Sequence, residues 1–489
     1  MTSPTPAATS KYAWREIPQL GLPKRPARER IADFLEVYGL YDERTAQEQA
    51  ARCIQCPNPG CVNGCPLCNP IPDWIRLTAE GRFDEAASVL GSNASLAEIC
   101  ARLCPGERLC EESCILNGRS EPVAIRHIEQ FLMERALAAG LVDVATPPPL
   151  GKSVAVVGSD PGALACADEL AGLGYSVTVH DSTSSAGGLL FATMPEFKLE
   201  KSVLERRVAL MRKRGVTFRL GRSFGPELSL ERLRSESDAV YLALDCRQPR
   251  TLDVPGANLS GVVQALEFLL EHCSDAPSPI SHSPSPIPRG GANTNPAGKR
   301  VVVLGGGDTA IDCARTAARR GAREVTVVYR REPAEMPCTP HEYENAVEEG
   351  IRFVFCAAPI EFLGNPAQEL AAVRCARTRL VPASGQPGQR RAFEVLPEAH
   401  FELPAEIAIL ALGFDPMPLA AIPLLSGLAV TASGTSLVVD NSQQTSLPGV
   451  FAGGVLTSGP GLMLYAVRDG RRAAKGIHAF LGSLQPASM

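Results

Sequence analysis

The sequence predicts an α/β protein in which a helical module is followed by two parallel-sheet domains, the second inserted in the first. Nine of the 16 cysteines lie between Cys53 and Cys114, in a stretch with few strand-like runs. An apolar strand, a glycine-bearing turn, a helix and a second strand then follow one another twice, from Lys152 and again from Lys299. This order is typical of Rossmann-like dinucleotide-binding domains.

The length and composition exclude several classes of protein. A chain of 489 residues exceeds one compact core, so two or three domains are expected. The net charge of −5 provides no basic surface of the kind that binds nucleic acid. No apolar run is long enough to span a membrane, and no secretory leader opens the sequence. We therefore expect a cytoplasmic protein.

Changes of composition along the chain predict the domain boundaries. A disordered start (1–27) precedes the helical module (28–146), whose last helix is predicted from Glu121 and Pro122 to Gly140. The first nucleotide-binding domain is expected at 150–255 and 411–489, and the second at 256–410. A Pro- and Ser-rich stretch within the second domain, 274–298, is predicted to be a flexible surface insertion. The predicted strands are Ser153–Val157, Ser176–Val179, Ala239–Leu244, Arg300–Leu304 and Glu324–Tyr329.

The cysteines of the module form two closely spaced runs. The first is Cys53-x2-Cys56-x4-Cys61-x3-Cys65 and the second is Cys100-x3-Cys104-x5-Cys110-x3-Cys114. Such spacings let one loop present several thiolates to a compact iron–sulfur cluster, and eight cysteines suffice for two [4Fe-4S] clusters. Structural zinc sites use similar ligands and remain an alternative. A disulfide framework would need an oxidising compartment, which nothing in the sequence indicates.

The first run carries a family resemblance. The stretch Arg52–Cys56, the step Cys65-Pro66 and the following Ile71-Pro72-Asp73-Trp74 resemble the N-terminal module of glutamate synthase small subunits, a module that also occurs in dihydropyrimidine dehydrogenase and in ferredoxin:NADP transhydrogenases. The resemblance implies that the ligands interleave between the runs. One cluster would be held by Cys53, Cys56, Cys61 and Cys114, and the other by Cys65, Cys104, Cys110 and Glu129. Cys68 and Cys100 would not be ligands.

In this family the first glycine-bearing turn binds FAD, and the turn is altered here. Gly158 and Ala163 occupy the outer positions of the fingerprint, but Asp160 replaces the middle glycine. An aspartate about 4 Å from a phosphate costs on the order of 4 kcal/mol at an effective dielectric of about 20. The resemblance also implies that FAD is contacted by Asp181, Gly188, Gly453 and Gly454. Two further departures from the family are Asp245, near the nucleotide, and Val455, where an aspartate normally holds the ribityl chain.

The second glycine-rich turn is intact. Gly305, Gly307 and Ala310 take the fingerprint positions, with Asp308 and Thr309 between them at the start of a helix. The following strand ends in Arg330 and Arg331, where an NAD site typically carries an acid. Two guanidinium groups there favour a 2′-phosphate, and therefore NADPH.

The sequence thus predicts an NAD(P)H-dependent oxidoreductase, an iron–sulfur flavoprotein of the glutamate synthase small-subunit type. Electrons would pass between NADPH, FAD and two [4Fe-4S] clusters to a larger catalytic or redox partner subunit, and no protein acid or base is required for that transfer. The alternative is a flavin-less iron–sulfur relay or docking subunit, which the changes at Asp160, Asp245 and Val455 favour.

Overall fold

The computed structural model describes residues 12–93, 95–142, 147–222, 224–225, 228–245, 247–273, 294–381, 390–422 and 425–483. Within these ranges, none of the helices combines the length and the apolar character needed to cross a bilayer. Cys246 and residues 274–293 of the predicted insertion lie outside the described residues.

The N-terminal module consists of short helices around one apolar core. Its largest buried side chain is Trp74, whose indole nitrogen donates to Asn69 Oδ1 at 3.1 Å. The last helix begins at Ile125 rather than in the Glu121–Pro122 turn, and it ends at Ala138. The helices are α1 (Ala13–Glu16), α2 (Ala27–Arg30), α3 (Glu43–Ala51), α4 (Gly60–Gly64), α5 (Ile71–Ala79), α6 (Phe83–Asn93), α7 (Ala97–Leu103) and α8 (Ile125–Ala138).

Residues 12–27 belong to this module, which corrects the expectation that the disordered start extends to residue 27. Ala13 is buried, and the backbone nitrogen of Gln19 donates to Glu121 at 2.9 Å. The Gln49 side chain accepts from Leu20 N and donates to Pro18 O, so it satisfies backbone groups on this segment. These hydrogen bonds join groups that are distant in the sequence, and composition alone does not predict which groups pair.

The first nucleotide-binding domain is built on a five-stranded parallel sheet in the order β15-β4-β1-β2-β3. Four strands come from the middle of the chain: β1 (Ser153–Val157), β2 (Ser176–His180), β3 (Thr217–Arg219) and β4 (Ala239–Leu242). The fifth, β15 (Val450–Ala452), comes from near the C-terminus and pairs with β4. Helices α9 (Pro161–Gly172) and α17 (Met463–Ser483) pack closely, because Gly162 and Gly470 leave no side chains between them. Further helices before residue 300, and the short helix after β15, are α10 (Gly188–Thr193), α11 (Lys201–Lys213), α12 (Leu230–Glu236), α13 (Ala265–His272) and α16 (Val455–Ser458).

The second domain lies within the first along the chain, as predicted. Its parallel sheet has the strand order β6-β13-β7-β8-β9. A separate three-stranded antiparallel sheet has the order β10-β11-β12. The strands are β6 (Val262–Gln264), β7 (Arg300–Leu304), β8 (Glu324–Tyr329), β9 (Arg352–Phe355), β10 (Ala357–Gly364), β11 (Leu370–Leu380), β12 (Phe393–Pro404) and β13 (Ile407–Leu410). The two segments that connect the domains contain the strands β5 (Arg247–Pro249) and β14 (Phe414–Pro416), which pair with each other in antiparallel orientation.

Buried ion pairs connect the module with the second domain. Glu349 follows α15 (Pro340–Glu348) and is contacted by Arg30 from the module and by Arg315 and Arg319 from α14 (Asp308–Arg319). The four side chains are almost completely inaccessible to solvent. Because a buried charge is tolerated only when it is paired, this cluster fixes α2 against α14 and α15.

Candidate functional site

Four cysteines of the module line one small cavity. Cys53, Cys56 and Cys61 of the first run and Cys114 of the second run share its wall with apolar side chains. Burial raises the pKa of Cys53 to about 11 and of Cys61 to about 12, and neighbouring thiols add to both shifts. The structure therefore brings together the four residues expected for one cluster, in a place where thiolates need a positive centre to balance their charge.

Glycines allow the two cysteine runs to meet. A Cβ at Gly60 would collide with the carbonyl oxygen of Ser113, and one at Gly64 would collide with the Ser113 hydroxyl and the backbone of Leu109. Helix α4 therefore lies directly against the turn between Cys110 and Cys114. This contact brings the two cysteine runs together although they are distant in the sequence.

The remaining predicted ligands form a second group. Burial raises the pKa of Cys65, Cys104 and Cys110, and the Glu129 carboxyl contributes to each shift. The pKa of Glu129 is itself raised to about 8, first by burial and then by Glu111 and Glu98. Cys100 lies beside Cys104, whereas Cys68 is exposed. Among the described residues, no three such side chains converge on a point that a single metal ion could fill.

A cavity of about 780 Å3 opens at the carboxyl ends of the first parallel sheet. This is the usual place for a nucleotide in such sheets, and the volume lies within the range of about 300–1,000 Å3 for cofactor sites. Gly158, Asp181, Gly188 and Gly454 line it, whereas Ala163 and Gly453 are buried behind it. All three departures from the family, Asp160, Asp245 and Val455, lie on its wall.

Backbone conformation and close packing explain why glycine occupies three positions on the wall of this cavity. Gly158 has a φ of +100°, and a Cβ there would collide with the carbonyl oxygen of Ala243. Gly188 and Gly454 also have positive φ angles, both +64°. A Cβ at Gly188 would lie 3.3 Å from the backbone nitrogen of Asp160. The backbone cradle that a dinucleotide requires is thus retained around the altered position.

Asp160 is the N-cap of α9. Its Oδ1 accepts from the backbone nitrogen of Ala163 at 2.8 Å, and its backbone is extended before the helix begins. Aspartate is among the residues preferred at this position because it satisfies an otherwise unpaired N–H group. The carboxylate therefore occupies part of the helix N-terminus, where a pyrophosphate normally binds.

Asp181 holds the neighbouring loops in place. One carboxylate oxygen accepts from the Ser159 hydroxyl at 2.5 Å, and the other accepts from the backbone nitrogen and the hydroxyl of Thr183. Ser159 in turn accepts from the backbone nitrogens of Gly187 and Gly188. The acid expected to meet the ribose thus also ties together the loops after β1 and β2.

The second fingerprint has the geometry of an intact nucleotide turn. Gly305 has a φ of +146°, and a Cβ there would collide with the carbonyl oxygen of Ala411. A Cβ at Gly306 would press on the ring of Tyr329, and Gly307 is the N-cap of α14. Asp308, at the first helical position, accepts from Thr339 N at 3.0 Å, while Ala310 is fully buried. Thr309 lies between Asp308 and Ala310 in the first turn of α14.

The two arginines after β8 have different environments. Arg331 is buried and its Nε donates to the carbonyl oxygen of Arg391 at 2.7 Å. Arg330 is exposed and lies over the ring of Phe393, with 4.8 Å between its guanidinium carbon and the ring centroid. Within the described ranges, neither forms an ion pair with a carboxylate. Arg330 is therefore the more accessible of the two for an anionic ligand.

Comparison with known proteins agrees with this arrangement. Residues 30–141 match a domain family described as dihydropyrimidine dehydrogenase domain II, 4Fe-4S cluster, and residues 152–470 match the pyridine nucleotide-disulphide oxidoreductase family. The chain is 41% identical over 459 residues to the glutamate synthase [NADPH] small chain of Azospirillum brasilense, covering 94% of this chain and 93% of that protein. The chain belongs to the glutamate synthase small-chain family. The resemblance inferred from the cysteine runs is confirmed.

Other members and a solved structure extend this assignment. The glutamate synthase [NADPH] small chain of Escherichia coli K12 is 37% identical over 480 residues, covering 96% of this chain and 98% of that protein. FprA from Mycobacterium tuberculosis, solved in complex with NADPH, superposes with a TM-score of 0.53 at 20% identity, covering 69% of this chain and 85% of that chain. The latter similarity confirms the predicted nucleotide-binding fold. This small-chain family member is an NAD(P)H-dependent oxidoreductase with a 4Fe-4S domain.

Sequence reasoning did not identify the three basic residues on the cavity wall of this small-chain family member as contacts. His180, Arg222 and Arg468 all line the cavity together with the predicted contacts. His180 directly precedes Asp181 at the end of β2, so its position could have been inferred from the strand. Arg222 and Arg468 are single basic residues in a loop and a helix, and no motif marks them.

Proposed function

We propose that this chain is the NADPH-oxidising, electron-input subunit of a glutamate synthase-type complex, and that it delivers electrons to a larger partner subunit. When bound, FAD would convert the electron pair of a hydride into single electrons, which two [4Fe-4S] clusters can carry. The observation that carries the proposal is the cavity of about 780 Å3, since it retains a glycine cradle despite the three unfavourable substitutions. A flavin-less relay would not need such a cavity.

Each site has protein groups suited to its ligand. The thiols of Cys53, Cys56, Cys61 and Cys114 would hold one cluster, and Cys65, Cys104, Cys110 and Glu129 the other. FAD would lie against Gly158, Gly188 and Gly454, with the ribose near Asp181. NADPH would lie on the turn Gly305–Ala310, with its 2′-phosphate near Arg330 and Arg331.

The position of the cysteine groups supports a direction for the electron path. Leu67 and Leu103, which neighbour the second group in sequence, pack against a buried cluster made mostly of side chains from the first nucleotide-binding domain, together with Leu96 and Ile99 of the module. Beside the first group, Ile54 and Ile115 are exposed by 37% and 46%. We therefore place the outlet to the partner subunit at the cluster held by Cys53, Cys56, Cys61 and Cys114.

The test is the cofactor content of protein purified without oxygen. Near-stoichiometric FAD with about eight irons per chain, and bleaching of the flavin bands by NADPH, is the expected result. Eight irons without FAD, even after incubation with excess FAD, would overturn the proposal in favour of the relay subunit.

Replacing Asp160 with glycine is expected to strengthen FAD binding about tenfold or more, because it removes a negative charge from the phosphate site and frees the Ala163 N–H. Fluorescence titration of flavin-depleted protein measures the change. Asp42→Gly is a matched control, since Asp42 also caps a helix, with its carboxylate accepting from Thr45 N at 2.7 Å in the remote α3. Unchanged affinity in Asp160→Gly would show that the carboxylate does not disfavour the phosphates.

Replacing Arg330 with alanine is expected to raise KM for NADPH about 10- to 100-fold and to leave KM for NADH almost unchanged. The reason is the loss of a charge-assisted contact to a phosphate that NADH lacks. Steady-state reduction of an artificial acceptor provides the measurement. Arg352→Ala on β9 serves as the control, because this exposed arginine pairs with Glu324. An equal change for both nucleotides would contradict the assignment of Arg330.

A further inference from the structure

The wall of the cavity in the first domain is unusually acidic for a site that accepts a diphosphate. Four carboxylates line it: Asp160, Asp181, Asp245 and Asp469. Asp160 already caps α9, which normally offers its N-terminus to the phosphates. A ligand with two negative charges therefore needs a cation from elsewhere on the wall.

Two of the three basic side chains on the wall are unsuitable. Arg468 donates to Asp469 Oδ1 through Nε at 3.2 Å and through a terminal nitrogen at 3.1 Å, and it lies over the ring of Tyr465. His180 is buried, and burial lowers its pKa, with Arg219 and Arg222 adding to the shift. His180 is therefore neutral near pH 7 and carries no charge for a phosphate.

Arg222 is the third basic residue, and its side chain is available. Its backbone is fixed, because its N–H donates to the carbonyl oxygen of Asp181 at 2.8 Å. Its exposed guanidinium lines the cavity but makes no hydrogen bond or ion pair with any other residue that the structure describes. A long cationic side chain is thus anchored beside the cavity, with its guanidinium unpaired among the residues that the structure describes.

We propose that Arg222 binds the diphosphate of FAD and replaces the contact that Asp160 takes away from the helix N-terminus. The inference rests on the proposed function, since it requires that the cavity holds FAD. A guanidinium group is well suited to this role because it presents several N–H donors to phosphate oxygens in a fixed geometry. Arg222 would compensate for the altered fingerprint within the same cavity.

The experiment is a titration of flavin-depleted, full-length protein with FAD, ADP and riboflavin. Arg222→Gln is expected to weaken binding of FAD and ADP by about 10- to 100-fold and to leave riboflavin, which has no phosphate, unchanged. The control is Arg219→Gln, which removes the same charge from the neighbouring strand β3 at a residue that does not line the cavity. It should change none of the three affinities by more than about twofold.

A double variant tests the link to Asp160. In the Asp160→Gly background the helix N-terminus is open to the phosphates, so the loss caused by Arg222→Gln should be smaller than in the unmodified chain. Unchanged FAD affinity in Arg222→Gln, or an equal loss for riboflavin, would overturn the role of Arg222 alone. If neither the unmodified chain nor Asp160→Gly binds FAD, the proposed function fails, and the role of Arg222 fails with it.

Discussion

Replacing Cys114 with serine should reduce the iron content from about eight to about four atoms per chain and roughly halve the broad visible absorbance of the clusters. Cys114 is the residue of the second run that lines the cavity with Cys53, Cys56 and Cys61. A serine hydroxyl is a poor substitute for a thiolate ligand, so that cluster should not assemble. Electron delivery to the partner should be lost, because the proposed outlet is this cluster.

The control separates ligand loss from a general effect of removing a thiol. Cys68→Ser changes an exposed cysteine three residues after Cys65 and should leave iron, absorbance and electron delivery unchanged. In Cys114→Ser the flavin bands should still bleach with NADPH, because the nucleotide sites are in other domains. Full iron content in Cys114→Ser would mean that the ligands of the two clusters are divided differently.

Replacing Glu349 with glutamine should destabilise the protein by about 3–5 kcal/mol, because it removes a buried negative charge that contacts three buried guanidinium groups. Among the described residues, Arg315 would keep only Glu342 as an ion-pair partner, and Arg30 only Glu348. Its carboxylate lies 2.8 Å from Arg30 Nε, 2.9 Å from Arg315 and 2.7 Å from Arg319. The measurement is the midpoint of thermal unfolding. Glu348→Gln is the matched control, since the adjacent carboxylate pairs with Lys24 and Arg30 but is 46% exposed. It should cost no more than about 1 kcal/mol, and equal losses in both variants would contradict the prediction.

The same cluster predicts how stability depends on pH. Burial alone would raise the pKa of Glu349, but hydrogen bonds from Arg319 and Arg315 outweigh burial and lower it to about 2. A carboxyl with a depressed pKa stabilises the fold fully above its unfolded pKa, about 4.3, and loses that contribution as pH falls toward 2. Stability should therefore decline between about pH 5 and pH 2, and Glu349→Gln should show a smaller decline over this range.

The parallel strands and the two cysteine runs could be predicted from sequence, because each depends on a local pattern. The division of the cysteines into two groups came from the family resemblance instead. The runs Ser153–Val157 and Arg300–Leu304 are continuous apolar segments before glycine turns, and the structure has strands with the same bounds. The antiparallel strands β10 to β12 escaped detection because many of their residues are exposed, and arginine–glutamate pairs such as Arg374 with Glu402 stabilise them.

The role of Asp160 could not be decided from sequence. The residue type shows a charge at the phosphate position, but only the backbone before α9 shows that the carboxylate caps the helix. The position of Arg222 on the cavity wall could not be predicted from the sequence for a related reason. Its place on the cavity wall depends on the loop after β3 hydrogen-bonding to Asp181, which lies 41 positions earlier in the numbering.

The pairing of β15 with β4 sets an order of events during translation. Strand β4 ends at Leu242, and its partner begins at Val450, about 200 residues later. At about 5–20 residues per second, the ribosome takes about 10–40 s to supply the missing strand. The inserted domain can complete its sheet during that interval, while the edge of β4 stays open and prone to wrong pairing. The nascent chain therefore needs protection at this edge until β15 emerges and pairs with β4.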